Sequence, residues 1–90
     1  MTTKVLKVHP ADNVLVALKD INEGETVRWN NSAILLREMV PGKHKIFTEN
    51  LNRGDKVTMY GVTVGTIQEA VSEGSCMTVN NTKHAADPFA

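Results

Sequence analysis

The chain has 90 residues, the size of one domain with a single modest core. Ten basic and ten acidic side chains cancel, so the charge balance does not indicate a nucleic-acid partner or an anionic membrane. The sequence has no apolar run near the roughly 20 residues that a bilayer span requires, and its N-terminus lacks the apolar stretch of a secretory signal. We therefore expect one small cytoplasmic domain with no nucleic-acid or membrane partner.

Short apolar segments separated by turn residues predict strands along most of the chain. Residues 4–9 alternate apolar and polar side chains before a proline, and residues 13–21 form a β-branched apolar run after a turn signal. Such a pattern of many short strands favours an all-β or mostly β domain. The segments with strand character lie within residues 4–9, 13–21, 25–29, 33–36, 44–47, 55–61 and 75–79.

One segment, residues 64–74, has the pattern of a short helix. Ile67, Ala70 and Val71 are spaced to share one helical face, and Gly74 follows as a C-terminal stop. The spacing predicts the one helix of the chain that is longer than a single turn.

A turn unit that occurs three times is a clearer pattern than any single element. Residues 17–27, 47–57 and 67–77 align without gaps. Each has an apolar residue, an aliphatic residue four positions later, a glycine three positions further on and a second apolar residue after three more. The first spacing suits one helical turn, and the glycine suits a left-handed turn that residues with a Cβ resist. We interpret the unit as a structural turn–glycine–strand device.

The spacing of chemically active residues does not predict a metal or nucleophilic site. His9, His44, His84 and the single cysteine, Cys76, form none of the close pairs that are typical of zinc sites. The third turn unit makes Cys76 a strand residue, and no basic residue adjoins it in sequence to activate the thiol. The glycines of residues 60–65 match neither phosphate-binding motif; Gly61 indicates a turn between strands and Gly65 the start of the short helix.

Two polar segments are candidates for ligand binding. One is cationic and follows a Pro-Gly turn, so it is either a solvated loop or a positive clamp for an acidic ligand. The other combines three polar residues in one turn, where its side chains either meet a ligand or bond to their own backbone. The two segments contain Lys43, His44 and Lys45, and His9, Asp12 and Asn13, respectively.

Taken together, three stretches that cover about residues 4 to 83 resemble a known family. The chain is similar to the SAF domain at the N-terminus of altronate and galactarate dehydratases, which also occurs as the separate small subunit of related hydro-lyases and of sulfolactate sulfo-lyase. The most specific matches are His9-x-x-Asp12-Asn13-Val14, His44-Lys45 and Tyr60-Gly61-x-x-x-Gly65.

The resemblance implies a mostly β fold of the β-clip type, a compact barrel-like arrangement of short strands with one or two short helices. We expect a single SAF-like domain over residues 1–90, with an ordered core over about 4–83 and a tail over 84–90. The implied partners are a large catalytic dehydratase subunit or domain and a sugar-acid substrate, and exposed strand edges also make a homodimer one expected assembly.

For function, the resemblance implies part of a hydro-lyase that dehydrates a hydroxy acid to a 2-keto-3-deoxy acid. The main catalytic site would then lie in the partner. A divalent metal, iron or manganese, is implied for the whole enzyme, whereas no cofactor or metal is assigned to this domain alone. The alternative is a non-catalytic SAF module for ligand binding or assembly. The residues expected to contact substrate are His44, Lys45, His9, Asp12, Asn13 and Asn81, and no catalytic residue is assigned.

The chain departs from its relatives at two places. Lys43 stands where many relatives have glycine, so the glycine turn is either lost or shifted to Gly42. Altronate dehydratases typically carry a His-x-His-x-His-Asn run after the third glycine, and here only the final Asn81 matches that run. Galactarate dehydratases also lack the histidines. The stretch around Cys76 therefore distinguishes between substrate branches of the family.

Overall fold

The computed structural model describes residues 4–29 and 31–84, which form eight short strands connected by reverse turns. The mostly β fold class is confirmed. The described strands are β1 (Val5–Leu6), β2 (Val14–Ala17), β3 (Thr26–Trp29), β4 (Ser32–Leu35), β5 (Lys45–Phe47), β6 (Lys56–Met59), β7 (Val62–Ile67) and β8 (Thr82–His84).

The strands pair antiparallel in three small sheets rather than in one closed barrel. Their orders are β1-β2-β5, β3-β4 and β6-β7-β8. In the first sheet, Leu15 of β2 lies opposite Ile46 of β5, and both side chains are fully buried. β3 pairs with β4, and β6 with β7, as antiparallel hairpins.

The predicted helix over residues 64–74 is wrong. Residues up to Ile67 belong to β7, in which five of six residues are β-branched, and those that follow form a bend and a turn. Branching at Cβ restricts χ1 in a helix and packs well in a strand, so the composition outweighed the helical spacing. No helix occurs in residues 4–29 and 31–84, and so the one or two short helices of the expected fold are absent from this part of the chain.

The repeated turn unit is real, and the structure contains a fourth copy. In each copy a strand or bend leads to an aliphatic residue whose backbone pairs with that of another copy; we call it the bridging residue. A residue with positive φ follows three positions later. The residues between the first apolar residue and the aliphatic residue of each unit contain a bend, and not the helical turn that the spacing suggested. In chain order, the four copies contain Ala17, Ile21, Gly24 and Val27; Leu36, Val40, Lys43 and Ile46; Phe47, Leu51, Gly54 and Val57; and Ile67, Val71, Gly74 and Met77.

The copies pair through backbone hydrogen bonds, the first with the second and the third with the fourth. The bridging residues Ile21 and Val40 exchange two bonds of 2.9 and 2.8 Å, and Leu51 and Val71 exchange two of 3.0 and 2.9 Å. Each residue with positive φ also donates its N–H to the first carbonyl of the paired copy. These bonds run from Gly24 to Leu36, Lys43 to Ala17, Gly54 to Ile67 and Gly74 to Phe47.

Each pair of copies encloses its own apolar core, and the sheet of β2 and β5 contributes to both. Ile46 of β5 packs in the first core and Phe47, the next residue, packs in the second. This follows from the alternation of side chains along a strand. The first core contains Val5, Leu15, Ala17, Ile21, Val27, Ile34, Leu36, Val40, Ile46 and Cys76; the second contains Val14, Phe47, Leu51, Val57, Met59, Ile67 and Val71.

The predicted strands up to residue 61 each overlap an observed strand, whereas the C-terminal part differs. Of residues 75–79, only Cys76 pairs, through an isolated bridge to Ile46. The strand β8 was not predicted, and it includes His84, the first residue of the expected tail. The remaining tail, residues 85–90, lies outside the described residues.

Two glycines with similar φ, +95° at Gly54 and +90° at Gly74, allow a matched stability test. A Cβ on Gly54 would meet nothing within 4 Å, whereas one on Gly74 would overlap the carbonyl oxygen of Leu35. We expect Gly54→Ala to lower the free energy of unfolding by about 1–2 kcal/mol through left-handed strain alone. Gly74→Ala should cost about 1–3 kcal/mol more, because the packed backbones must separate. Urea unfolding followed by Trp29 fluorescence measures both losses, and equal losses would contradict this packing.

Candidate functional site

The main candidate site is a groove of about 430 Å³ between the start of β5 and the segment that precedes β8. Its two sides are held together by the backbone of Met77, which donates a 2.9 Å hydrogen bond to the carbonyl of Lys45. The isolated bridge between Ile46 and Cys76 continues this contact into the core. The groove is lined by Lys43, His44, Lys45, Met77, Thr78, Val79 and His84.

The groove lining is cationic. It contains two lysines and two histidines, and none of the described lining residues is acidic. The Lys45 ammonium donates to the Lys43 carbonyl at 3.3 Å, and Nδ1 of His44 lies 3.4 Å from the Gly42 carbonyl, to which it donates when protonated. Met77 and Val79 add apolar surface. Lysine and histidine donors beside apolar walls suit a small organic anion, with charge-assisted hydrogen bonds to its carboxylate.

The predicted residue Asp12 lies outside this lining and holds the backbone of the β6-β7 hairpin. Its carboxylate is 4% exposed and accepts hydrogen bonds from the N–H groups of His9, Tyr60 and Gly61, at 3.1, 3.1 and 3.0 Å. Tyr60 and Gly61 have φ of 58° and 77°, as the two central residues of a type I′ hairpin turn require. Asp12 thus joins the turn before β2 to the hairpin tip.

His9 and Asn13 belong to the same junction. The His9 ring packs on Gly61, where an added Cβ would lie 2.9 Å from Nε2, and Nδ1 accepts from the N–H of Ala11 at 3.0 Å. The Asn13 side chain accepts from the N–H of Thr58 at 2.9 Å and donates to the carbonyl of Lys56 at 3.0 Å. It meets β6 where the register with β7 shifts. Neither residue lines the groove.

Asn81 supports the groove from behind. Its amide accepts from the N–H of Thr78 and the hydroxyl of Thr82, both at 2.9 Å, and donates to the carbonyl of Cys76 at 2.9 Å. The side chain therefore closes the loop that presents Thr78 and Val79 to the groove.

Of the six residues expected to contact substrate, the structure brings His44 and Lys45 together in the groove. His9, Asp12 and Asn13 form the separate hairpin junction, and Asn81 shapes the loop. The expectation that all six contact substrate stays a prediction. The five other lining residues are Lys43, Met77, Thr78, Val79 and His84, of which Lys43 belongs to the cationic segment singled out in the sequence.

Cys76 is buried, with 4% of its surface exposed, and Sγ lies 3.6 Å from the Met77 carbonyl. Burial raises the pKa of the thiol, and the Glu38 carboxylate raises it further, whereas Lys45 acts in the opposite direction. Lys45, which is distant in sequence, therefore lies near the thiol, but its charge does not outweigh burial and the Glu38 carboxylate. The net effect disfavours the thiolate, which is the nucleophilic form of cysteine.

No group of three or more histidine, cysteine, aspartate or glutamate side chains in residues 4–29 and 31–84 is arranged to hold a metal ion. The divalent metal that the resemblance implies for the whole enzyme stays a prediction. The same residues contain no helix of the length and apolarity needed to cross a bilayer.

Comparison with known proteins identifies the family. Residues 3–85 match the model of the altronate/galactarate dehydratase SAF domain. The chain belongs to this SAF domain family. It is 33% identical over 78 residues to an altronate dehydratase of Bacillus subtilis (strain 168), and equally to an altronate dehydratase of Escherichia coli (strain K12). Each alignment covers 87% of this chain but only 16% of the relative. The chain thus corresponds to a small part of the length of these relatives.

The hairpin junction of this SAF domain predicts a structural role for Asp12. Asp12→Ala removes three hydrogen bonds to backbone N–H groups, so we expect the free energy of unfolding to fall by about 3 kcal/mol. Asp20→Ala is the matched control, because its carboxylate accepts one exposed bond, from Gly42, and its loss should cost about 1 kcal/mol. Chemical unfolding of the two variants measures the difference. An Asp12 variant as stable as the control would contradict this role.

The raised pKa of Cys76 predicts a pH dependence of stability. Because the folded protein binds the thiol proton more tightly than the unfolded chain, this contribution is complete below the unfolded thiol pKa of about 8.5 and is lost as pH rises toward the folded pKa. Unfolding free energies of the wild type and Cys76→Ala, measured from pH 7 to 10, should show the advantage of the wild type shrinking above about pH 8.5. A constant difference would contradict the raised pKa.

Proposed function

We propose that this SAF domain is the small subunit or N-terminal domain of a sugar-acid hydro-lyase of the altronate/galactarate dehydratase type. The enzyme dehydrates a hydroxy acid to a 2-keto-3-deoxy acid in the cytoplasm, with its main catalytic site in a partner subunit or domain. Family membership supports the class of enzyme. The 16% share of the relatives' length supports a partner that supplies the remainder.

The observation that carries the proposal is the cationic groove. A sugar acid presents a carboxylate and several hydroxyl groups, and the groove offers Lys45 and His44 as donors to the carboxylate and Thr78 as a hydroxyl partner. Met77 and Val79 exclude water from one side of the ligand. The domain binds and orients the acid end of the substrate while its carbon chain extends toward the partner.

Dehydration next to a carboxylate needs a base for the proton on C2 and an acid for the departing hydroxyl on C3. His44 and His84 are the only imidazole side chains of the groove lining, and histidine is the side chain that most often acts as a general acid or base. Two such groups without a metal-ligand cluster among the described residues do not make a complete dehydratase site. This supports a division of labour in which the domain holds the acid and the partner carries out elimination.

The loop 77–79 bears on which sugar acid is the substrate. In altronate dehydratases the resemblance places a histidine run along this stretch. Here Thr78 lines the groove, Cys76 is buried, and Asn81 bonds to the backbone of the loop. The groove wall therefore differs from that expected of the altronate branch at Thr78, which weakens a specific assignment to altronate.

The proposal is tested with the full chain expressed together with the large dehydratase part encoded beside it or in its parent chain. We expect the two to co-purify, and dehydration of a sugar acid to need both. His44→Ala and Lys45→Ala should each lower kcat/KM about tenfold through loss of a charge-assisted hydrogen bond to the carboxylate. Lys56→Ala is the control, because this exposed lysine lies on β6 outside the groove and should leave activity unchanged.

Two results would count against the hydro-lyase role. Activity of the large part alone that this domain does not change would overturn the proposal. Binding of a sugar acid by a chain that has no dehydratase partner would instead favour the alternative, a non-catalytic SAF ligand-binding module.

A further inference from the structure

The four turn copies differ at the one position where the backbone is left-handed. Gly24, Gly54 and Gly74 have φ of 86°, 95° and 90° there, as expected for the residue that takes this conformation without strain. In the remaining copy Lys43 has φ of 72°. A side chain in this conformation is strained, because its Cβ approaches the backbone carbonyl oxygen.

The backbone pairing fixes the conformation of Lys43. Its N–H donates to the Ala17 carbonyl at 2.6 Å, the same bond that the three glycines make in their copies. The neighbouring Gly42 is closely packed, because a Cβ added to it would lie 3.3 Å from the backbone of Lys19. Glycine at position 43 would satisfy the fold at lower strain, so the lysine is unfavourable for the turn itself.

Lys43 is an exposed lining residue of the groove, whereas none of the three glycines lies there. Within residues 4–29 and 31–84, no carboxylate forms an ion pair with Lys43. The groove therefore has a formal charge of +2 from Lys43 and Lys45 with its histidines neutral, and no acidic lining residue balances it. A ligand with one carboxylate neutralises half of this charge, and one with two anionic groups neutralises all of it.

We propose that Lys43 binds a second anionic group of the groove's ligand, so that the domain selects hydroxy acids with two anionic groups over monoacids. The left-handed strain is retained because glycine at this position would remove the second charge. Residues held in strained conformations often occur where function requires them. The inference rests on the proposed function in that the groove is the substrate site, and it adds the charge of the substrate and the residue that reads it.

The test uses the 90-residue chain with two probes, the dicarboxylate galactarate and the monocarboxylate gluconate, titrated by calorimetry at low salt. The wild type should bind galactarate about tenfold more tightly than gluconate. Lys43→Met keeps the strain and removes the charge, so it should abolish this preference and leave Tm unchanged. Lys43→Arg keeps both and should keep the preference.

A second measurement separates strain from binding. Lys43→Gly should raise Tm by about 4 °C through relief of strain, while it also abolishes the preference for galactarate. Gly54→Lys is the converse control, because it places a lysine at an equivalent left-handed position where a Cβ meets nothing. This variant should lower Tm by a similar amount and leave both affinities as in the wild type.

Equal affinity of the wild type for the two probes, no binding of either probe, or a preference unchanged in Lys43→Met would each overturn the inference. The dehydratase assay with the partner separates this result from the proposed function. A galactarate preference that depends on Lys43, in a chain that supports no dehydration, would leave the dianion site standing and overturn the hydro-lyase role. Dehydration that needs this domain but is unaffected by Lys43→Met would leave the hydro-lyase role standing and overturn the dianion site.

Discussion

The paired backbone hydrogen bonds between turn copies are the constraint on which the rest of the structure depends. Strands of two to six residues bury little apolar surface each, and a sheet of two or three such strands is marginal by itself. The reciprocal bonds between Ile21 and Val40, and between Leu51 and Val71, fasten the ends of these strands together in two places. The apolar side chains of each pair of turn copies then pack into one of the two cores.

The sequence predicts much of this framework. Segments of alternating or β-branched residues mark the strands up to β6, and the glycine repeat marks three of the four turns. Two features escaped prediction for physical reasons. The copy that begins at Leu36 was hidden because Lys43, and not a glycine, occupies its left-handed position. Only the pairing with the copy at Ala17 enforces that conformation. Residues 64–74 have helical spacing, although the same stretch contains most of the turn copy that begins at Ile67, with a glycine at the position that marks a turn in the copies at Ala17 and Phe47.

The candidate site was predictable only in part. His44 and Lys45 follow a turn and are cationic, so their sequence neighbourhood already indicated an anion site. Asp12 and Asn81 are polar residues in turns, and sequence alone cannot distinguish a side chain that bonds to distant backbone from one that meets a ligand. His84 reaches the groove through the pairing of β8 with β7, a contact between residues far apart in the chain that no local pattern encodes.

The junction between the two cores determines how the domain unfolds. Ile46 and Phe47 are consecutive residues, each fully buried in a different core, so no linker separates the two halves. Opening one core would pull β5 out of register with β2 and expose side chains of the other. The halves therefore lose their structure together, as one cooperative unit, instead of as two bodies that move about a hinge. One side of the groove lies at the start of β5, so loss of either core would also dismantle the candidate binding site.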